Sequence, residues 1–357
     1  MNVHQFLTSF SYGDAIGNEA LEIRDFLRAR GIGSEIFTML FHPRYAGQVR
    51  NYQEYDRFSA PENTVIFHFS IGSPVTRKFL RLSDRKVIIY HNITPHRFFL
   101  DYHRVLAKDC YKGRLELGRL AGQVDLALGD SEYNRRELEE AGFARTGVLP
   151  LVMDFAKFDR PVLPVYRELY GDGRRNLLFI GRVIPNKKVE DVIRVFAAYQ
   201  RHFDPGSRLF IVGEHRGFER YLSALQGLTT ALGARDVRFS GHVPLDEMVS
   251  IAKLSHLYLH LSAHEGFCAP LVESFHLGIP VLAYDAGAVA ETLNGGGILL
   301  RDKDPLRVAA LCHQLLTRPE LRAAVLAGQA RALEKYRRQR TGGILLDFLG
   351  APAPRQP

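Results

Sequence analysis

Two glutamates, Glu265 and Glu273, stand eight positions apart in HEGFCAPLVESFHLGIPVLAY, residues 264–284. A carboxylate accepts two hydrogen bonds side by side, which suits the vicinal hydroxyls of a ribose or a pyranose. The preceding LYLHLSA reads as a strand, so HEGFCA is the loop at its carboxyl end. Pro270 suits the first position of a helix that runs to Gly278. Glu265 is then a loop residue and Glu273 lies one turn into the helix. Between them, the amides of Gly266, Phe267 and Cys268 precede a helix N-terminus, a place for a phosphate or a sugar hydroxyl. The alternative makes Glu265 a solvated loop acid and Glu273 a partner of the helix dipole, worth about 0.3–1 kcal/mol.

A second candidate is FIGRVIPNKKVEDVI, residues 179–193. Strand NLLFI ends at Gly181, which puts Arg182 and Lys187 in a loop before a helix. Two cations there form a site for a diphosphate, although the spacing is not that of a P-loop. VIIYHNITPHRFF places His91 at the end of another strand, where a satisfied loop histidine is the ordinary alternative. FSYGDAIGNEA has Gly13 and Gly17, which allow close backbone approach to a ligand, and Asn18 as a helix cap. His68, in FHFS, also ends a strand and is a candidate for the acceptor side. Ser131 reads as a helix cap after Asp130, and Asp304 of DKD as a cap before Pro305. No Asp/His grouping suggests a divalent ion, so the expectation is catalysis without metal or cofactor, Arg182 and Lys187 supplying the electrostatics.

These residues need strands to carry them. Short β-branched runs alternate with amphipathic segments along most of the chain, which predicts an α/β fold of two tandem Rossmann-like doubly wound sheets. One domain is expected over 1–153 and a Pro/Gly-bearing linker over 154–175. A second domain is expected over 176–334. With parallel sheets, ligands bind beyond the carboxyl ends of the strands, here in a cleft between the domains. The helix of the first domain is predicted from Asn18 to about Arg30, and the Pro-rich end after ILLDFL as frayed.

G-R-x-x-x-x-K-K after a strand, followed by E-G-F-x-x-P-x-x-E-x-x-x-x-G-x-P-V, resembles family 4 of the retaining GT-B glycosyltransferases, with Glu265 and Glu273 as its E-x7-E motif. SEYNRREL (131–138) and GHV (241–243) also stand in family positions. The resemblance implies that Arg182 and Lys187 hold the donor diphosphate, Glu265 contacts the transferred sugar and Glu273 the ribose. It places the backbone of Phe267, Cys268 and Ala269 at the sugar or distal phosphate, and that near Val243 at the base. It turns Gly13 and Gly17 toward phosphate and acceptor, and His91 toward the transferred sugar. It also implies that residues near 335–349 cross back to the first domain. Y-H-N-I-T-P looks like a subset acting in bacterial surface-polysaccharide assembly. Two departures stand out: Cys268 where many members have glycine, and GEHR after RLFIVG where many have a second glycine. Cys268 reads as a packing residue, not a nucleophile.

The implied reaction moves a hexose from a nucleoside-diphosphate sugar to a hydroxyl of a glycan or lipid-linked acceptor, and the H-E-G-F-C wording suggests a GDP-hexose such as GDP-mannose. A nucleotide-sugar epimerase on the same fold is one rival. A basic nucleic-acid-binding protein is the other, disfavoured because the aromatics follow core periodicity and Trp is absent. The net charge of +8 favours anionic partners. A basic pattern over 97–120 (Arg104, Lys108, Lys112, Arg114, Arg119) suggests peripheral contact with anionic membrane at its inner face. No run of about eighteen apolar residues and no signal-peptide pattern is present, and the three cysteines, Cys110, Cys268 and Cys312, are far apart. Both point to the cytoplasm.

Overall fold

A computed structural model describes residues 2–11 and 13–350, which form two compact units. The first contains β1 (Val3–Phe10), α1 (Ala15–Arg28), β2 (Ile36–Phe41), β3 (Arg50–Asn51), β4 (Thr64–Phe69), α2 (Pro74–Leu80), β5 (Arg85–Tyr90), α3 (Arg104–Leu120), β6 (Leu126–Gly129), α4 (Glu132–Glu140) and β7 (Thr146–Val148). The second contains α5 (Pro164–Tyr170), β8 (Asn176–Ile180), α6 (Val189–His202), β9 (Arg208–Val212), α7 (Glu219–Ala231), β10 (Val237–Gly241), α8 (Leu245–Lys253), β11 (Leu257–His260), α9 (Ala269–His276), β12 (Val281–Tyr284), α10 (Val289–Leu293), β13 (Ile298–Leu300), α11 (Pro305–Thr317) and α12 (Pro319–Leu333). A last helix, α13 (Arg338–Leu349), belongs to the first unit.

Each unit is built on one parallel sheet, in the order β3-β2-β1-β4-β5-β6-β7 for the first and β10-β9-β8-β11-β12-β13 for the second. Strands such as TVIFHF are buried at every position, as expected where helices cover both faces. The strand order reverses between β1 and β4 in one sheet and between β8 and β11 in the other. At such a switch point the loops leaving the two strands diverge and leave a crevice, so chemistry-bearing side chains there can converge on a ligand.

Several expectations are corrected. Helix α1 begins at Ala15, and its cap is Asp14, whose carboxylate accepts from Gly17 N at 3.2 Å. Asn18 therefore sits inside the first turn and does not cap it. The stretch read as a linker is folded: α5 lies within it, Leu163 N donates to Ser250 Oγ at 2.9 Å, and Arg160 pairs with Asp246 at 2.7 Å. From Phe155 onward this segment is part of the second unit. Residues 98–104 also join the second unit, where Tyr102 meets Tyr221 edge-on at 5.2 Å and Arg220 donates to the Asp101 carbonyl at 3.3 Å. The Pro-rich end read as frayed lies outside the described residues.

Helix α13 completes the core of the first unit. Leu345, Leu346 and Leu349 join Ile23, Phe26 and Leu27 of α1 in one buried cluster, and Arg85 donates to the carbonyls of Leu349 and Phe348 at 2.7 and 3.0 Å. The cation of Arg85 thus meets the carbonyls left open at the end of α13.

Candidate functional site

In the second unit, the loops after β8 and β11 flank the switch point and carry Arg182, Lys187 and Glu265. A short turn at Pro185–Lys187 delivers Lys187, and Lys188 in a left-handed conformation starts α6. Asn186 ties the two loops together: its carbonyl accepts from Ala263 N at 2.8 Å and its Nδ2 donates to the His264 carbonyl at 3.4 Å. Behind Glu265, Ala288 N donates to the Glu265 carbonyl at 3.0 Å. The loop is therefore fixed by backbone bonds before any ligand arrives.

Lys187 Nζ donates to both oxygens of Glu265 at 2.7 Å. His260 Nε2 lies 3.1 Å from Glu265 Oε1 and 3.5 Å from Cys268 Sγ. Burial works against the Glu265 carboxylate, but the Lys187 charge and the His260 hydrogen bond outweigh it, holding the pKa well below the usual range. Burial likewise opposes the Lys187 ammonium, and the Glu265 charge overrides it and raises its pKa. The pair is a buried, mutually charged unit.

Glu273 and Arg182 contrast with that pair. Glu273, one turn into α9, has no hydrogen-bond partner for its carboxylate among the described residues, and burial raises its pKa. Arg182 is exposed and forms no ion pair among the described residues. One unpartnered carboxylate and one unpartnered guanidinium beside the switch point can receive a ligand without first breaking a bond. Val243 is half-buried in the loop after β10. In the GEHR loop, Glu214 Oε1 accepts from the amides of His215 and Arg216 at 3.0 and 2.9 Å. Those amides are thus occupied from within.

Between Glu265 and Glu273, Phe267, Cys268 and Ala269 are buried and Gly266 is half-buried. Cys268 has φ +76°, the left-handed conformation glycine takes freely. Burial, then the Glu265 charge, push its thiol well up, so it stays protonated and unreactive.

In the first unit, the loop after β1 contains Gly13 at φ +74°, while Gly17 is buried in α1 against the Phe10 ring. His91 follows β5, but its ring faces inward. His91 Nε2 is 2.9 Å from His68 Nδ1 and 3.5 Å from Glu19 Oε2, and His91 Nδ1 is 3.4 Å from Asp130 Oδ2. His68, expected on the acceptor side, is instead an interior residue bonded to Gln5 Oε1 at 2.9 Å. Asp304 and Ser131 cap their helices as expected, accepting from Arg307 N at 2.8 Å and Asn134 N at 3.1 Å.

Folding also assembles two donor groups that the sequence did not suggest, Glu19/His68/His91 and His260/Glu265/Cys268. Glu19 is a buried residue of α1, and His260 is the last residue of the four-residue β11. A histidine in the otherwise apolar, fully buried LYLH was the available signal for the second.

Residues 168–330 match the family model for glycosyl transferases group 1. They are similar to a group 1 glycosyltransferase domain. This domain contains Arg182, Lys187, Glu265 and Glu273. The chain is 23% identical over 303 residues to O-antigen chain mannosyltransferase B of Escherichia coli, covering 82% of this chain and 72% of that protein. It is 28% identical over 232 residues to the D-inositol 3-phosphate glycosyltransferase of Frankia alni, covering 59% of this chain. That alignment spans only 56% of the Frankia protein. In three dimensions the chain superposes on Anabaena HepE in complex with UDP-glucose with a TM-score of 0.74 and 18% identity, over 99% of this chain and 100% of that one. The group 1 domain and the preceding parallel sheet are together of the GT-B glycosyltransferase fold class.

Proposed function

We propose that the chain is a retaining glycosyltransferase that moves a hexose, mannose in the first instance, from a nucleoside-diphosphate sugar to a hydroxyl of a glycan or lipid-linked acceptor in polysaccharide biosynthesis. The observation that carries this reading is the arrangement at the switch point of the second sheet: an Arg182 and a Glu273 without side-chain partners among the described residues, and between them in sequence a Lys187–Glu265 pair. Arg182 and Lys187 would bind the diphosphate and stabilise the charge on the leaving group. Glu273 would accept from the ribose hydroxyls. In this reading Lys187 turns to the donor phosphate and frees an oxygen of Glu265 for a sugar hydroxyl. The domain match, the E. coli mannosyltransferase and the UDP-glucose complex of HepE support a nucleotide-sugar donor. The test is thermal stabilisation by GDP, UDP and ADP and by their sugar conjugates, on wild type and Glu273→Ala. Stabilisation by one base, lost in the variant, is the expected result; no shift with any of them would sink the reading.

A lipid-linked acceptor also accounts for the outer face of α3. Val105, Tyr111 and Leu115 are 65%, 51% and 49% exposed, and Lys108, Lys112 and Arg119 are exposed beside them. Arg114 is not part of this face, since it donates to the Ile93 carbonyl and Glu137. Apolar and basic side chains side by side suit an anionic bilayer surface, and no helix among the described residues is long and apolar enough to cross one. The protein is expected to sediment with vesicles containing phosphatidylglycerol and to stay in solution with phosphatidylcholine alone. Charge reversal at Lys108 and Lys112 should weaken that binding; equal recovery with both vesicle types would rule the face out.

A further inference from the structure

The hydrogen bonds around His91 determine its proton count. Gln5 Nε2 donates to the Ala20 carbonyl at 3.0 Å, so Gln5 Oε1 is the atom turned to His68 Nε2, 2.9 Å away. His68 must therefore carry its proton on Nε2, which leaves a lone pair on Nδ1. That lone pair faces His91 Nε2 at 2.9 Å, so His91 must supply the proton between them. On the other side of the ring, His91 Nδ1 faces Asp130 Oδ2 at 3.4 Å. Asp130 is itself oriented as an acceptor. Asn92 Nδ2 donates to Asn134 Oδ1 at 2.7 Å, and that directs Asn134 Nδ2 at Asp130 Oδ1. A neutral His91 would set a nitrogen lone pair against either His68 Nδ1 or the Asp130 carboxylate.

We propose that Gln5, His68, Glu19 and Asp130 are positioning residues that hold His91 as a buried, doubly protonated imidazolium. Glu19 faces the Nε2 edge of the ring. Its Oε1 accepts from Val152 N at 3.1 Å, while its buried Oε2 has no hydrogen-bond partner among the described residues and lies 3.5 Å from His91 Nε2. The groups facing the imidazolium are thus His68 from β4, Glu19 from α1 and Asp130 after β6, with the carboxylate of Asp14 at the cap of α1 acting from further away. Burial opposes the His91 charge, but Asp130 and Glu19 outweigh it and raise its pKa. Burial and the neighbouring His91 charge hold His68 well below the usual value, as its neutral state requires. Burial lifts Glu19 to about 7, with the His91 charge opposing it.

Both ring nitrogens are occupied, so His91 is not a free donor to a sugar. Its charge instead anchors the end of β5, next to Asn92 in a left-handed turn with φ +64°. Linkage gives the sign: a raised histidine pKa stabilises this arrangement at lower pH, and the contribution is lost as pH rises through the folded value.

The experiment is pH-resolved nitrogen NMR on selectively 15N-histidine-labelled full chain, with the His91 signals assigned by their loss in His91→Gln. Both nitrogens of His91 are expected to remain protonated at neutral pH, with His68 a neutral Nε2–H tautomer. In Glu19→Gln the His91 titration should move to lower pH. A His91 that is neutral at pH 7, or unmoved by Glu19→Gln, would overturn the proposal. So would His91 signals that change on adding EDTA, which would place a metal ion at the point where His68, His91 and Glu19 converge. Should Glu19→Gln not fold, the wild-type titration decides alone. The consequence for activity rests on the proposed function: the alkaline limb of kcat should move to lower pH in Glu19→Gln. If the NMR result holds and no nucleotide sugar is turned over, the transferase reading fails and the imidazolium stands.

Discussion

Lys187→Ala is expected to destabilise the second unit by about 3–5 kcal/mol and to lower transfer at least about 100-fold. The stability loss comes from what remains behind. Glu265 is buried with both oxygens on Lys187 Nζ, and removal of the ammonium strands a carboxylate in low dielectric. His260 at 3.1 Å offsets only part of that. Urea unfolding followed by a probe in the second unit measures it, and Lys187→Met/Glu265→Gln should recover much of the loss because neither charge is then present. Transfer should stay low in the double variant, since the phosphate still lacks its cation. A single variant as stable as wild type would show that Glu265 is already solvated or protonated.

The pH dependence gives a second readout with a definite sign. In wild type the Glu265 pKa is depressed, so its contribution is present above the unfolded carboxylate value and is lost only as pH falls through the lower folded value. In Lys187→Ala burial is less opposed and the pKa rises. The variant should therefore lose most stability at neutral pH and approach wild type as the medium is acidified below about pH 4. A gap between the two proteins that stays constant over that range would exclude the buried charge as its cause.

The legible parts of this molecule were those with local signatures. The placement of Arg182, Lys187 and Glu265 in loops beyond the ends of β8 and β11 was readable because the alternation of strand and helix patterns marks where each strand stops. What the spacing of Glu265 and Glu273 could not reveal is that one carboxylate is saturated and the other open. That depends on Lys187, 78 positions away in sequence. Glu19 was hidden for the same reason: its partners His91 and Val152 follow β5 and β7, and no periodicity links them. Asp14 displaced Asn18 as the cap because α1 starts three residues earlier than its apolar pattern. Helix α5 escaped notice because seven residues hold too few apolar positions to show a period; Tyr166 is instead tied to Glu247 through its hydroxyl.

Gly213→Ala is expected to cost about 2–6 kcal/mol, combining overpacking with backbone strain, and to abolish nucleotide binding. A β-carbon at this position would stand 1.9 Å from the Gly181 carbonyl oxygen and 2.6 Å from its carbon, both main-chain atoms that cannot rotate away. Neither segment can retreat: Gly181 N donates to the Val212 carbonyl at 3.0 Å and Gly213 N to the Gly241 carbonyl at 2.9 Å, so separation would unzip the ends of β8, β9 and β10. Gly213 also has φ +153°, which side chains rarely adopt. The same β-carbon would lie 3.3 Å from Arg182 N, so any relief moves the loop that presents the guanidinium. Gly227→Ala is the internal control. It lies in α7 with nothing within 4 Å of the added carbon, and helix propensity there should stabilise by about 0.5–1 kcal/mol. Equal effects at the two positions would mean that the close approach of Gly213 to Gly181 does not exist in solution. A loss confined to Gly213, accompanied by loss of the nucleotide-induced thermal shift, would tie the packing of two strand ends directly to the phosphate loop.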